Sequence, residues 1–169
     1  MKTKLKAFAL IFTCLSGLVV VRFYGAQLGM IGSLIEMQSP GLIADSSWLR
    51  LLETDPENDG LNSYSVLADR NSNVAIPIAL KHVKSDDDYL WLNAASYLGD
   101  CNRPESIPYL IKALRHTAWR SLDERVGCLE VLTGQNYGRD FDGWRTWYLS
   151  GQPEFVPDWE SSLGYSPRL

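Results

Sequence analysis

The sequence predicts an all-α protein: a short right-handed α-solenoid of about three helix pairs, behind an N-terminal hydrophobic signal or anchor helix. Three observations lead there. "VAIPIALKHV" at 74–83 and "ESIPYLIKAL" at 105–114 write one Ile-Pro helix twice, and 107 − 76 gives a period of 31 residues. Ile76, Ala79, Leu80 and Val83, and again Ile107, Leu110, Ile111 and Leu114, fall at i, i+3, i+4, i+7, so each copy carries one apolar face. Finally, Lys2, Lys4 and Lys6 precede fifteen uncharged residues, Ala7 to Val21.

That leader has the layout of a secretory signal, a basic segment followed by an apolar one. As a helix it covers only about 22 Å at about 1.5 Å per residue, short of a hydrocarbon core about 30 Å thick. Length therefore favours cleavage, but Tyr24 stands where a small residue is wanted before Ala26. Snorkelling by Lys6 and Arg22 lets a short anchor span, so a retained anchor is preferred to a cleaved signal. Thr13 before Cys14 departs from a lipobox. In both readings the lysines stay inside and the rest is exported, to the periplasm or cell surface. Residues 23–41 then read as a juxtamembrane helix or stalk, with Gly25-x-x-x-Gly29 and a break at "SPG".

From residue 60 the chain alternates short helices with Gly, Asn, Asp and Pro. Shifted by 31, Leu67-Ala68-Asp69 lands on Leu98-Gly99-Asp100, Ile76-Pro77 on Ile107-Pro108, and Leu80-Lys81 on Ile111-Lys112. The prolines sit near the first helical turn, where a missing N–H costs least. Trp91, Ala94, Ala95 and Leu98, and then Leu122, Val126, Leu129 and Leu132, supply the inner faces of the preceding helices. Asp86–Asp88 ("SDDD") offer an N-cap. One such unit cannot bury its face alone, so neighbours must stack.

The run "WLNAASYLGDCNRPESIPYLIKAL" resembles the short bacterial HEAT-like repeats: an Ala-Ala helix, Leu-Gly-Asp, a turn, then Ile-Pro and an amphipathic helix. "LTGQNYGRDFDGWRTW" is similar to the ending of many such proteins. The resemblance spans about residues 58–150. It implies a HEAT-like repeat domain over 42–150, after a signal or anchor at 1–22 and the stalk at 23–41, and before an irregular tail at 151–169. It also implies a protein-binding scaffold; some relatives attach bilins to light-harvesting proteins. In the ending, Gly134 suits a helix C′ position, Asp140 an N-cap, and Trp144, Trp147 and Tyr148 share a face that covers the last core layer. Phe155 or Trp159 docks the tail.

The folded part is acidic. From residue 41 onward 12 basic side chains face 19 acidic ones, which disfavours a nucleic-acid partner. The sequence holds no His-x-x-x-His, Cys-x-x-Cys or Gly-x-Ser-x-Gly motif, so no catalytic residue, metal ligand or cofactor is expected. Cys101 and Cys128, on neighbouring units, are candidates for a disulfide, with a buried small residue at Cys128 as the alternative. One feature suggests binding. Outside the apolar stripe, Lys81, Lys84, Lys112 and Arg115, with Tyr109, His82 and His116 between, align into a basic ridge continued by Arg145. The ridge is read as the partner-binding face for an acidic protein, against an ordinary solvated face whose cations suit helix C-termini. The expected function is non-catalytic protein binding by a membrane-tethered or secreted module. Alternatives are an enzyme or chromophore-attachment accessory of the HEAT-like lyase type, and a purely structural envelope protein.

Overall fold

The structure, a computed structural model, describes residues 17–58, 60–116 and 122–159. Its elements are helices: α1 (17–24), α2 (Met30–Gln38), α3 (Asp45–Thr54), α4 (Leu61–Asp69), α5 (Ile76–His82), α6 (Asp88–Asp100), α7 (Ile107–Ala113), α8 (Leu122–Thr133) and α9 (Phe141–Ser150). Short 3-10 turns occupy Gly25–Leu28 and Pro104–Ser106. No strand occurs among the described residues, and the fold is all-α. No helix among them is long and apolar enough to cross a membrane. Most of the expected anchor, with Cys14, lies outside the described residues.

The period of 31 recurs in the backbone. α4 ends at Asp69 and α6 at Asp100, while α5 and α7 are seven-residue helices whose ends are offset by 31. Behind Asp69 and Asp100 come Asn71 and Asn102, again 31 apart, with φ of 52° and 54°. That left-handed conformation strains most side chains and suits asparagine, whose polar group bonds locally. The chain nevertheless forms two compact units, Met1–Arg70 and Asn71–Leu169, divided between the two helices expected as the first pair.

In the first unit, residues 23–41 are not a free stalk. A Cβ on Gly25 would lie 2.8 Å from the Ile43 side chain, and one on Gly32 would collide with the Gly25 carbonyl. Only glycine allows so close an approach. Ala26 N–H donates to Ser47 Oγ at 3.2 Å, and Gln27 Nε2 to the Ser47 carbonyl at 3.1 Å. Ile43, Trp48, Leu52, Tyr64 and Leu67 form the core beneath. Arg70 closes the unit, its guanidinium bonding Glu36 at 3.0 Å, the Ile43 carbonyl at 2.8 Å and Asp45 at 2.6 Å.

The second unit is built on α6, which packs against α5, α7 and α8 and is buried from Leu90 through Gly99. Asp87 caps it by accepting from the Leu90 N–H at 2.7 Å, as the acidic run leads one to expect. Tyr97, near the end of α6, donates to the Ser72 carbonyl at 2.6 Å and accepts from the Ala75 N–H at 3.2 Å, so α5 and α6 run antiparallel. A Cβ on Gly99 would meet Leu110 at 3.1 Å and Cys128 at 3.3 Å, which explains the glycine where α6, α7 and α8 converge. Leu110, Ile111, Leu114, Val126, Leu129, Trp144 and Trp159 form one core cluster. Trp144 is fully buried and donates to the Gly138 carbonyl at 2.9 Å, so α9 does cover the last layer. Gly134, at φ +67°, follows the end of α8, and Asp140 occupies the N-cap position of α9 without a side-chain capping bond.

Candidate functional site

The five ridge residues meet different fates. Lys81 and Lys84, at the end of α5, are exposed. Lys112 is half-buried, its Nζ 4.5 Å from the centre of the Trp91 ring. Arg115 is half-buried too, its guanidinium 4.9 Å from the Phe141 ring and donating to the Trp159 carbonyl at 3.4 Å. Tyr109 is only 7% exposed, which corrects its place on an open partner-binding ridge. Arg145 lies 5.3 Å from the Trp159 ring rather than extending a free ridge.

The chain's own tail causes the difference. Trp159 Nε1 donates to the Pro108 carbonyl at 3.2 Å, and the Trp159 ring packs edge-on against Phe141 and Tyr148. The Phe155 ring lies 5.4 Å from that of Tyr109, while Tyr148 donates to the Phe155 carbonyl at 2.9 Å. Burial therefore raises the pKa of Tyr109, with Tyr148 adding to it, and burial raises that of Tyr148. Pairing between backbone and tyrosine, tryptophan or arginine groups fixes an otherwise irregular segment.

The histidines were expected among the cations and are not equivalent to them. His116 is buried, edge-on to Trp91 at 5.8 Å, with Nε2 3.6 Å from Asp88. Asp88 also accepts from Trp91 Nε1 at 3.0 Å. Burial, and then repulsion from Lys81, lower the pKa of His82 below its usual value, so it adds little charge at neutral pH. No disulfide joins Cys101 and Cys128; both are thiols. Cys101 Sγ faces the Ser72 carbonyl at 4.0 Å and Cys128 Sγ faces Asp100 at 3.6 Å, so the two bond in different directions. Burial pushes the Cys101 thiol up, only partly offset by its bond to Tyr97.

Two charged features escaped the sequence reading. Arg125 is buried and donates to the Ala113 and His116 carbonyls, the latter at 3.1 Å, so its charge is held at the end of α7, where Ala113 also accepts from the His116 N–H. The signal was present, because Leu122, Arg125, Val126 and Leu129 together occupy i, i+3, i+4, i+7. The other is Arg70 with Glu36 and Asp45. Burial alone would lower the Arg70 pKa, but its bonds to Glu36 and Asp45 outweigh this and raise it. Arg70 and Glu36 border an open cavity of about 500 Å³ that also involves Ser33, Met37, Asn62 and Asp69. No local pattern could reveal a pair 34 residues apart. Among the described residues, no cluster of His, Cys, Asp and Glu could hold a metal ion.

These observations define an all-helical protein with a periodic backbone and two exposed lysines at the end of α5. Comparison with protein-family models, characterised proteins and solved structures gives no match, so the HEAT-like resemblance rests on the residues themselves.

Proposed function

We propose that the chain is a membrane-tethered, extracytoplasmic helical-repeat protein that binds an acidic protein partner along the outer face of α5. In this reading successive helix pairs stack right-handedly, as in HEAT-like arrays, and the N-terminal apolar segment supplies the tether. The supporting observation is the recurrence of helix ends and left-handed asparagines at 31 residues, with Lys81 and Lys84 exposed at the end of a helix whose counterpart is covered. Repeat arrays bind along the face made by one helix of each unit. Since Lys112, Arg115 and Tyr109 are held by the chain's own aromatics and tail, the expected contact narrows to Lys81 and Lys84. Exposed cations mainly steer encounter and add salt-sensitive attraction.

The test is capture of partners in mild detergent by the wild type and by Lys81→Glu with Lys84→Glu. A protein retained by the wild type, released by salt and lost from the double variant with an unchanged melting curve fits the proposal. Equal retention at low salt would mean that the α5 surface is only solvated.

A further inference from the structure

α2 is folded inside out. Its Gly32 packs on the Gly25 carbonyl and its Glu36 is buried against Arg70, whereas Ile31 (60% exposed), Leu34 (54%) and Met37 (79%) face solvent. Leu28, 50% exposed, extends the strip at its N-terminal end. An amphipathic helix in water does the reverse, and a continuous apolar strip marks an interaction surface.

Two observations choose the occupant. Sixteen residues precede the first described position, and the apolar run Ala7–Val21 they carry continues into it. The environment that takes up this run is thus adjacent in the chain to the strip. Exposure agrees. In α1, which carries the end of that run, Leu18 (51%), Val19 (56%), Val20 (57%) and Phe23 (47%) are exposed, so apolar side chains face outward on both sides of the Gly25–Leu28 turn. An apolar surface that follows directly on a membrane-inserting segment suits the interfacial zone of a bilayer. We propose that the outward face of α2 lies in the interfacial zone of a lipid bilayer and holds the first unit against the membrane surface. This deepens the tether reading and rests on it: the apolar leader fastens the chain, and α2 sets how close the first unit stands.

The experiment uses the full chain with Cys14, Cys101 and Cys128 replaced by serine, its helical circular dichroism matched to the wild type. A single cysteine at Leu34→Cys, Met37→Cys or Glu57→Cys carries an environment-sensitive fluorophore; Glu57 is exposed in the turn after α3. The probe is a vesicle of equal parts phosphatidylcholine and phosphatidylglycerol, with and without a lipid-borne quencher at shallow acyl depth. The labels at 34 and 37 should shift to the blue and lose most of their emission to the quencher, while the label at 57 keeps its own. A chain that sediments with vesicles yet shows water-like emission at 34 and 37 overturns the interfacial face and leaves the tether standing. A blue shift without lipid quenching also overturns it, showing a cover of protein, either a second copy or residues 1–16. A chain that does not sediment with vesicles overturns both readings.

Discussion

α5 and α7 begin as the same sentence and end in different surroundings. Both open on Ile-Pro, both last seven residues, and both lack a side-chain N-cap bond. Yet within α5 only Ala79 is fully buried, whereas α7 buries Pro108, Tyr109, Leu110, Ile111 and Ala113. Periodicity decides that a helix forms and which stripe turns inward. The opposite face is decided by what else arrives there, and at α7 that is Trp159, 51 residues further along.

The largest way to break this comparison is Leu110→Asp, at the fully buried α7 position matching Ala79. A charge placed there without a partner should cost more than about 4 kcal/mol and abolish cooperative unfolding. Leu98→Ala, on the α6 side, should cost about 2–5 kcal/mol in urea denaturation. Near-wild-type melting of both would mean that the inward stripe is misassigned.

Trp159→Ala comes next, at about 3 kcal/mol, because it removes a buried ring and its bond to Pro108. It should also make α7 resemble α5, with Tyr109 becoming reactive toward N-acetylimidazole. If Tyr109 stays protected, the tail is not what buries it. Arg125→Met should lose about 1–3 kcal/mol by removing the guanidinium's bonds to the Ala113 and His116 carbonyls at the end of α7. An unchanged urea midpoint would show that water replaces the guanidinium there.

The smallest effects sharpen the contrast most. Lys112→Glu should destabilise by about 1 kcal/mol through loss of its stacking on Trp91. Lys81→Glu, the same residue type one period earlier, should stay within about 0.5 kcal/mol of the wild type. Equal thermal shifts for the two would remove the distinction between the helices.

Elements with local causes were legible in the sequence. The Ile-Pro helices, the Asp87 cap, the glycine after α8 and the inward Leu98, Leu110 and Trp144 follow from spacing and capping chemistry within a few residues. Trp159 was named as a docking residue, but nothing in a proline-rich tail says that it lands on α7 and so covers Tyr109. Matching positions along the ridge therefore do not share an environment, and the period alone predicts more open surface at α7 than the fold leaves. Arg125 was passed over because a cation in an apolar stripe looks like a flaw until the helix end it serves is known. Residues 23–41 read as a stalk in the sequence because the demand for glycine at 25 and 32 arises only when Ile43 and α2 come close.

Each compact unit is fastened by a residue late in its own stretch of chain. Arg70 reaches back to Glu36, Ile43 and Asp45, and Trp159 reaches back to Pro108. A ribosome delivers these fasteners last. At about 5–20 residues per second, Pro108 waits about 3–10 s for Trp159 to be made. Through nearly all of that interval Leu110 and Ile111 are synthesised but incompletely covered, and a chaperone that recognises apolar segments has seconds in which to bind them. A message truncated before codon 159 makes that state permanent, so its product should be degraded even though every helix through α9 has been translated.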